Sequence, residues 1–322
     1  MATWNTVKAE VDAAGGNLDG VRRTKLLAVE AVTHRPLIIY ATDFLHPEKV
    51  RACQGQVGLA AEDKEGFIEV TSRLSGDQLD VLLHSPGGEP EAAESIVEIL
   101  RSKFRSIRFV VPDAAKSAAA MLALSGDEIL MDATSELGPT DPQMLVPRDA
   151  QTVIAPAHAI LEQFRKAEAD LSANPNKTPV WLPILRLYGP SLLIECENAI
   201  NLTKTLVADW LERYMFAGQD DARKKASGIA EELGSQSRFL SHGRRIGIQH
   251  LKDLGVKVAN LADDAQLQKA VWELYTAISL TFEFTGAFKL FENGHGDALI
   301  RLVQTLKLPL PQPLPPQPRP DS

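Results

Sequence analysis

Short apolar runs that alternate with helix-spaced segments constrain this chain more than any other feature. The runs Pro36–Tyr40, Leu79–His84 (LDVLLH), Ile107–Val111 and Glu128–Met131 read as strands. Between them, Asp63–Leu74, Pro90–Phe104 and Lys116–Leu124 read as helices; the second carries Ala93, Ile96, Val97 and Leu100 at helical spacing. Connections this short require βα crossover units, hence a mainly parallel sheet covered on both faces. LDVLLH is apolar nearly throughout, as a strand buried on both faces must be. From Pro156 the chain turns mostly helical, with long candidates at 157–171 and 191–217. A strand-like Val256–Val258 follows Gly255, and a last helical stretch is expected over about 264–306.

Composition excludes several classes. Among 322 residues, 34 Lys and Arg face 42 Asp and Glu, a formal charge of −8, so general binding to a phosphate backbone is not expected. Cys53 and Cys196 cannot build a disulfide framework or a cysteine-based zinc site. The histidines at 34, 46, 158, 250 and 295 show no metal-ligand spacing, and no glycine-rich nucleotide loop occurs. The start, MATWNTVKAEVDAAGG, does not read as a signal peptide, and no apolar run has the length to span a bilayer, so a soluble, cytoplasmic protein is expected, with peripheral membrane association left open. The segment PLPQPLPPQPRP near the end cannot pack as helix or sheet and is expected to be extended, with docking to a proline-binding partner as the sharper alternative.

Two segments carry chemistry together. His84-Ser-Pro-Gly-Gly88 ends a buried strand, and paired glycines let a backbone N–H point at a bound group. Ala114-Ala-Lys-Ser117-Ala-Ala-Ala follows the next strand and opens a helix, where unpaired N–H groups and the helix dipole favour negative charge. Together they offer a hydroxyl nucleophile and backbone donors for an oxyanion, the requirements of acyl transfer. Alone, each has a simpler reading: a turn, and an N-cap serine.

The runs LLHSPGGEPEAAESIVEILR, VVPDAAKSAAAMLALSGDEILMDATSELGPTDPQ and SHGRRIGIQHLKDLGVKV, in this order, resemble the serine dehydrogenase proteinase family, which is related to signal peptide peptidase A type serine proteases. The resemblance covers roughly residues 35–300. It implies an α/β fold, a Clp-protease/crotonase-like spiral of ββα units with a helical C-terminal extension. The expected division is a helical lead-in over 1–34, the protease domain over 35–306 and a proline-rich tail over 307–322. The implied activity is that of a serine endopeptidase needing no cofactor. Ser117 matches the nucleophile, Gly88 one oxyanion donor, and Ala118 supplies the other N–H.

The base is open. The Glu136–Gln143 loop falls where the Clp protease carries its catalytic histidine, yet holds none. Lys204, between Leu202 and Leu206, has the apolar surroundings that let a lysine act as base. Lys166 lies in a charged stretch, and the Lys116 side chain is expected to point away from Ser117. His242 is the alternative base, and Asp141 a possible orienting group. His84 is expected to fix the Pro-Gly-Gly turn. The resemblance also implies a peptide or protein substrate and a homo-oligomer assembled through the helices at 191–217 and 264–290. Two other readings stand beside it: a crotonase-like acyl-CoA enzyme, and a catalytically inactive scaffold of the same fold.

Overall fold

The computed structural model describes residues 4–148 and 151–303; the proline-rich segment and the tail proposed over 307–322 lie outside the described residues. Helices α1 (Trp4–Ala13) and α2 (Leu18–Thr33) precede strand β1 (Leu37–Thr42). Then come α3 (Pro47–Ala52), α4 (Asp63–Thr71), β2 (Gln78–His84), α5 (Pro90–Lys103) and β3 (Ser106–Val111). The next elements are β4 (Ala114–Ala115), α6 (Ala118–Leu124), β5 (Glu128–Met131) and β6 (Glu136–Leu137). A hairpin of β7 (Gln143–Arg148) and β8 (Gln151–Pro156) leads into α7 (Ala157–Ala173), α8 (Thr178–Leu185), α9 (Leu192–Trp210) and α10 (Ala222–Leu233). The described residues close with α11 (Gln236–Phe239), α12 (Ile248–Asp253), β9 (Val258–Asn260), α13 (Ala265–Phe284), β10 (Ala287–Asn293) and β11 (Ala298–Leu302).

Seven strands form one sheet in the order β11-β10-β1-β2-β3-β5-β9. The five from β1 to β9 run parallel, while β10 pairs antiparallel with β1 and β11 antiparallel with β10. Side chains alternate between two cores, as the period-2 geometry of a strand demands. Ile38, Tyr40, Val81, Phe109 and Val111 face one core, shared with α4, α5, α6, α9 and α10. Leu37, Ile39, Leu82 and Val110 face the other, closed by α2 and α13. Both faces are covered, which is why the strands are apolar runs.

Three features depart from the sequence expectation. The stretch 264–306 is not one helix: α13 stops at Phe284, and β10 and β11 return to the sheet. β10 fills the position beside β1 with Leu290 on one core and Phe291 on the other, a burial that a continuing helix would forfeit. The late strand is Val258–Asn260, shifted past Val256. The hairpin of β7 and β8, to which no element had been assigned, packs Val146 against Ile160, Leu161 and Ile200.

Candidate active site

The Ser117 turn is built where β2 and β3 leave the sheet. Ser85 bridges Ala115: the Ser85 N–H donates to Ala114 O (3.1 Å) and the Lys116 N–H to Ser85 O (3.0 Å). β4 also pairs with β6, so the segment before Ser117 is held on two sides. Ser117 then adopts φ 49°, ψ −123°, a conformation that costs an L-residue on the order of 1–3 kcal/mol. Its side chain makes no capping hydrogen bond to α6. The fold therefore holds a serine in a strained turn without using it as a cap.

The Pro-Gly-Gly turn lies directly against it. Gly87 has φ 94°, and a Cβ there would stand 2.5 Å from Lys116 O and 2.7 Å from the Ser117 Cβ. Gly88 has φ 152°, and its Cβ would stand 2.2 Å from Leu59 O. Only glycine permits these approaches. Leu59 bridges Gly88 through Gly87 O (2.6 Å) and the Glu89 N–H (2.9 Å), a pattern that leaves the Gly88 N–H out of the ladder. Ala118 is the first residue of α6, so its N–H has no acceptor within the helix. Two backbone donors thus flank the serine.

A cavity of about 520 Å³ opens beside Ser117, lined by Gly88, Met121, Thr140 and, from α9, Leu202 and Thr203 among others. The loop that supplies Thr140 also supplies Asp141, which is buried. Its Oδ1 lies 2.9 Å from His242 Nδ1, and its Oδ2 accepts from Gln143 Nε2 at 2.9 Å. Asp141 and His242, far apart in sequence, therefore form one carboxylate–imidazole pair. Leu137 bridges Ile246 and the Thr140 N–H donates to Leu233 O, which ties the two segments together; Thr140, Pro142 and Gln143 of the Asp141 loop line the cavity, while Asp141 and His242 are not among its lining residues.

Lys204 is placed differently. Its Nζ lies 2.7 Å from Glu231 Oε2, and it is absent from the cavity wall that its neighbours Leu202 and Thr203 form. Lys166 pairs with Glu162 on the surface, as expected of a solvated stretch. The Lys116 Nζ lies 2.5 Å from Glu136 Oε1. His84 is buried, stacked on Phe44 and in edge contact with Tyr275, whose hydroxyl donates to Asp113 Oδ2 (3.1 Å). The His84 Nδ1 lies 3.6 Å from the same carboxylate. Burial pushes the His84 pKa down to about 4, against the opposing pull of Asp113 and Asp43. His84 and Asp113 stand immediately before the two bridged segments, so this network braces both turns from the α13 side.

The sequence says of His158 only that it lacks metal-ligand spacing. At the start of α7 it senses both Asp141 and Lys204; burial, then the Lys204 charge, lowers its pKa, and its Nε2 is buried without a hydrogen bond. It opens on cavities other than the one holding Ser117. Among the described residues no group of three or more His, Cys, Asp or Glu side chains is placed to hold a metal ion, and no helix is long and apolar enough to cross a membrane.

The family described as "ClpP-like SDH-type serine proteinase" matches residues 59–278. An uncharacterised protein of Methanocaldococcus jannaschii is 26% identical over 220 residues, 67% of this chain and 62% of the relative. A second uncharacterised protein of the same organism is 34% identical over 87 residues, 27% of this chain and 30% of the relative. The chain thus matches less than two thirds of the length of either. Two mutant forms of the 1510-N membrane-bound stomatin-specific protease superpose with a TM-score of 0.37 each. They are 15% and 17% identical, cover 62% of this chain, and are themselves covered over 74% and 70%; the second is in complex with a substrate peptide.

Proposed function

The chain belongs to the ClpP-like SDH-type serine proteinase family, with its Clp-protease-like α/β fold, and from that premise we propose that it is a serine endopeptidase acting through Ser117. The strained Ser117 turn, pressed against Gly87 and Gly88 with two backbone donors beside it, carries this reading. In the proposed mechanism the Ser117 Oγ attacks a peptide carbonyl. The Gly88 and Ala118 N–H groups receive the developing oxyanion. His242 takes the serine proton at Nε2, because Asp141 holds its Nδ1–H and so fixes the tautomer that leaves Nε2 free. The tetrahedral intermediate collapses, the same imidazole returns the proton to the leaving amine, and an ester of Ser117 remains. Water, deprotonated in turn by His242, hydrolyses that ester and regenerates the serine.

His242 is preferred over Lys204 on geometric grounds: Asp141 orients its ring at 2.9 Å, whereas the Lys204 Nζ is engaged by the Glu231 carboxylate at 2.7 Å. The test is labelling by a fluorophosphonate probe between pH 6 and 10. Ser117→Ala should abolish it, His242→Gln should slow it by about 100-fold or more, and Lys204→Met should stay within a few-fold of the parent. A Lys204→Met variant that loses labelling while His242→Gln keeps it would move the base to Lys204. Labelling that survives Ser117→Ala would remove the nucleophile assignment altogether.

A further inference from the structure

We infer that the cavity beside Ser117 selects a substrate residue with an aliphatic stem and a cationic head, and that Glu91 and Glu195 make the selection. The inference rests on the endopeptidase reading and gives it a substrate class.

Helix α9 presents Glu195, Asn198, Ala199, Leu202 and Thr203 to the cavity, positions spaced i, i+3, i+4, i+7 and i+8 and so on a single face. Exposure changes along that face. Glu195 and Asn198 are exposed, Ala199 and Leu202 half-buried, and Thr203 buried. Met121 of α6, also buried, faces the same space, and Glu91 enters from the first turn of α5. The cavity is therefore apolar within and acidic on its wall. Among the described residues no lysine, arginine or histidine lines it.

The two carboxylates lack counter-charges. Among the described residues neither Glu91 nor Glu195 takes part in an ion pair; Glu195 accepts only the Ser191 hydroxyl, at 2.5 Å. Acids in other cavities of this molecule sit beside an arginine: Glu162 and Glu231 with Arg165, and Glu62 and Asp63 with Arg301. The plainer explanation is that Glu91 and Glu195 stand in the first turns of α5 and α9 because the helix dipole favours acids there. The dipole accounts for the residue type. It does not cancel the field, since a helix end carries about half a charge against a full carboxylate charge. The cavity therefore keeps a negative potential over an apolar floor. That combination suits a lysine or arginine side chain, whose methylenes lie on apolar surface while the head stays at the rim.

The size of the effect follows from the exposure. Exposed ion pairs favour a cation by about threefold each, so two together give roughly tenfold selection. The test uses internally quenched peptides in which each position flanking the scissile bond is in turn arginine, norleucine or glutamate. Norleucine supplies the stem without the charge. At one position, kcat/KM for arginine should exceed that for norleucine about tenfold, with glutamate poorest. The arginine-to-norleucine ratio should fall toward one in the Glu91→Gln/Glu195→Gln double variant and in 1 M salt. Cleavage with no arginine advantage at any position, or an advantage that survives the double variant, overturns the inference and leaves the endopeptidase standing. No cleavage together with no fluorophosphonate labelling of Ser117 overturns the endopeptidase reading and the inference with it.

Discussion

His84 shows how much one buried side chain sets the behaviour of this site. Its imidazole is neutral in the folded chain, with a pKa near 4, and faces Asp113, Asp43, Phe44 and Tyr275. Unfolded, it would titrate near 6.5. Between those values the unfolded chain binds a proton that the folded chain refuses, so stability falls as pH is lowered through this window. From pH 7 to pH 5 this group alone should cost about 2 kcal/mol. Urea unfolding at both pH values, in the parent and in His84→Gln, checks it: the parent should lose about 2 kcal/mol more than the variant does. Equal losses would mean that His84 is not kept neutral by the fold. At this scale the turn at Gly87-Gly88 and the helix start after Ser117 were legible in the sequence, because local order encodes a turn. The sequence was silent on which partner Asp141 takes, since 101 residues separate it from His242 and no spacing rule spans that distance.

At the scale of elements, the Gly87-Gly88 turn depends on a strand far from it in sequence. Lys289 of β10 is buried with its Nζ 2.7 Å from both oxygens of Asp63, and it also donates to Gly58 O at 2.6 Å. Asp63 in turn accepts from the Tyr40 hydroxyl (2.8 Å) and the Ala60 N–H (3.1 Å). The segment so anchored contains Leu59, whose N–H donates to Gly87 O. β10 thereby steadies the glycine turn through an ion pair. Lys289→Met would leave the Asp63 carboxylate buried without its cation, at a cost of about 3–5 kcal/mol. The urea midpoint should fall accordingly, and Ser117 labelling should slow at temperatures where the variant remains folded. A change below about 1 kcal/mol would show that Asp63 is satisfied without Lys289. The ion pair is not legible in the sequence, whose helical pattern over 264–306 covers β10. The Asn293-Gly294 dipeptide between two apolar runs is the hairpin signal that was there to be read. The hairpin of β7 and β8 was hidden for another reason: Pro147 and Pro156 argue against strands, and here the hairpin forms a sheet of its own, where an absent N–H is tolerated.

For the molecule as a whole, the parallel sheet was readable because each βα unit is local, whereas its closure is not. β1 begins the parallel set, yet it lies inside the sheet because β10 arrives from the other end of the chain to pair with it. Leu290 and Phe291 are both fully buried there, one on each core, and Phe291 contacts Tyr40 and Phe67 at ring-centroid distances of 5.0 and 5.6 Å. β10 also supplies Glu292, which receives the buried Arg22 of α2 at 2.5 Å. A chain ending at Thr285 would lose these apolar contacts, leave the Asp63 carboxylate without its cation and take Glu292 from Arg22, which would keep Asp19 and Thr281. The sum is on the order of 10 kcal/mol, comparable with the entire stability of an ordinary domain. Such a chain should show no cooperative urea transition by tryptophan fluorescence and no labelling at Ser117, although every residue assigned to the catalytic machinery is still present. A sigmoidal transition near the midpoint of the full chain would make the β10–β11 hairpin an accessory. Its absence would mean that the last strands complete the sheet on which the serine turn is built.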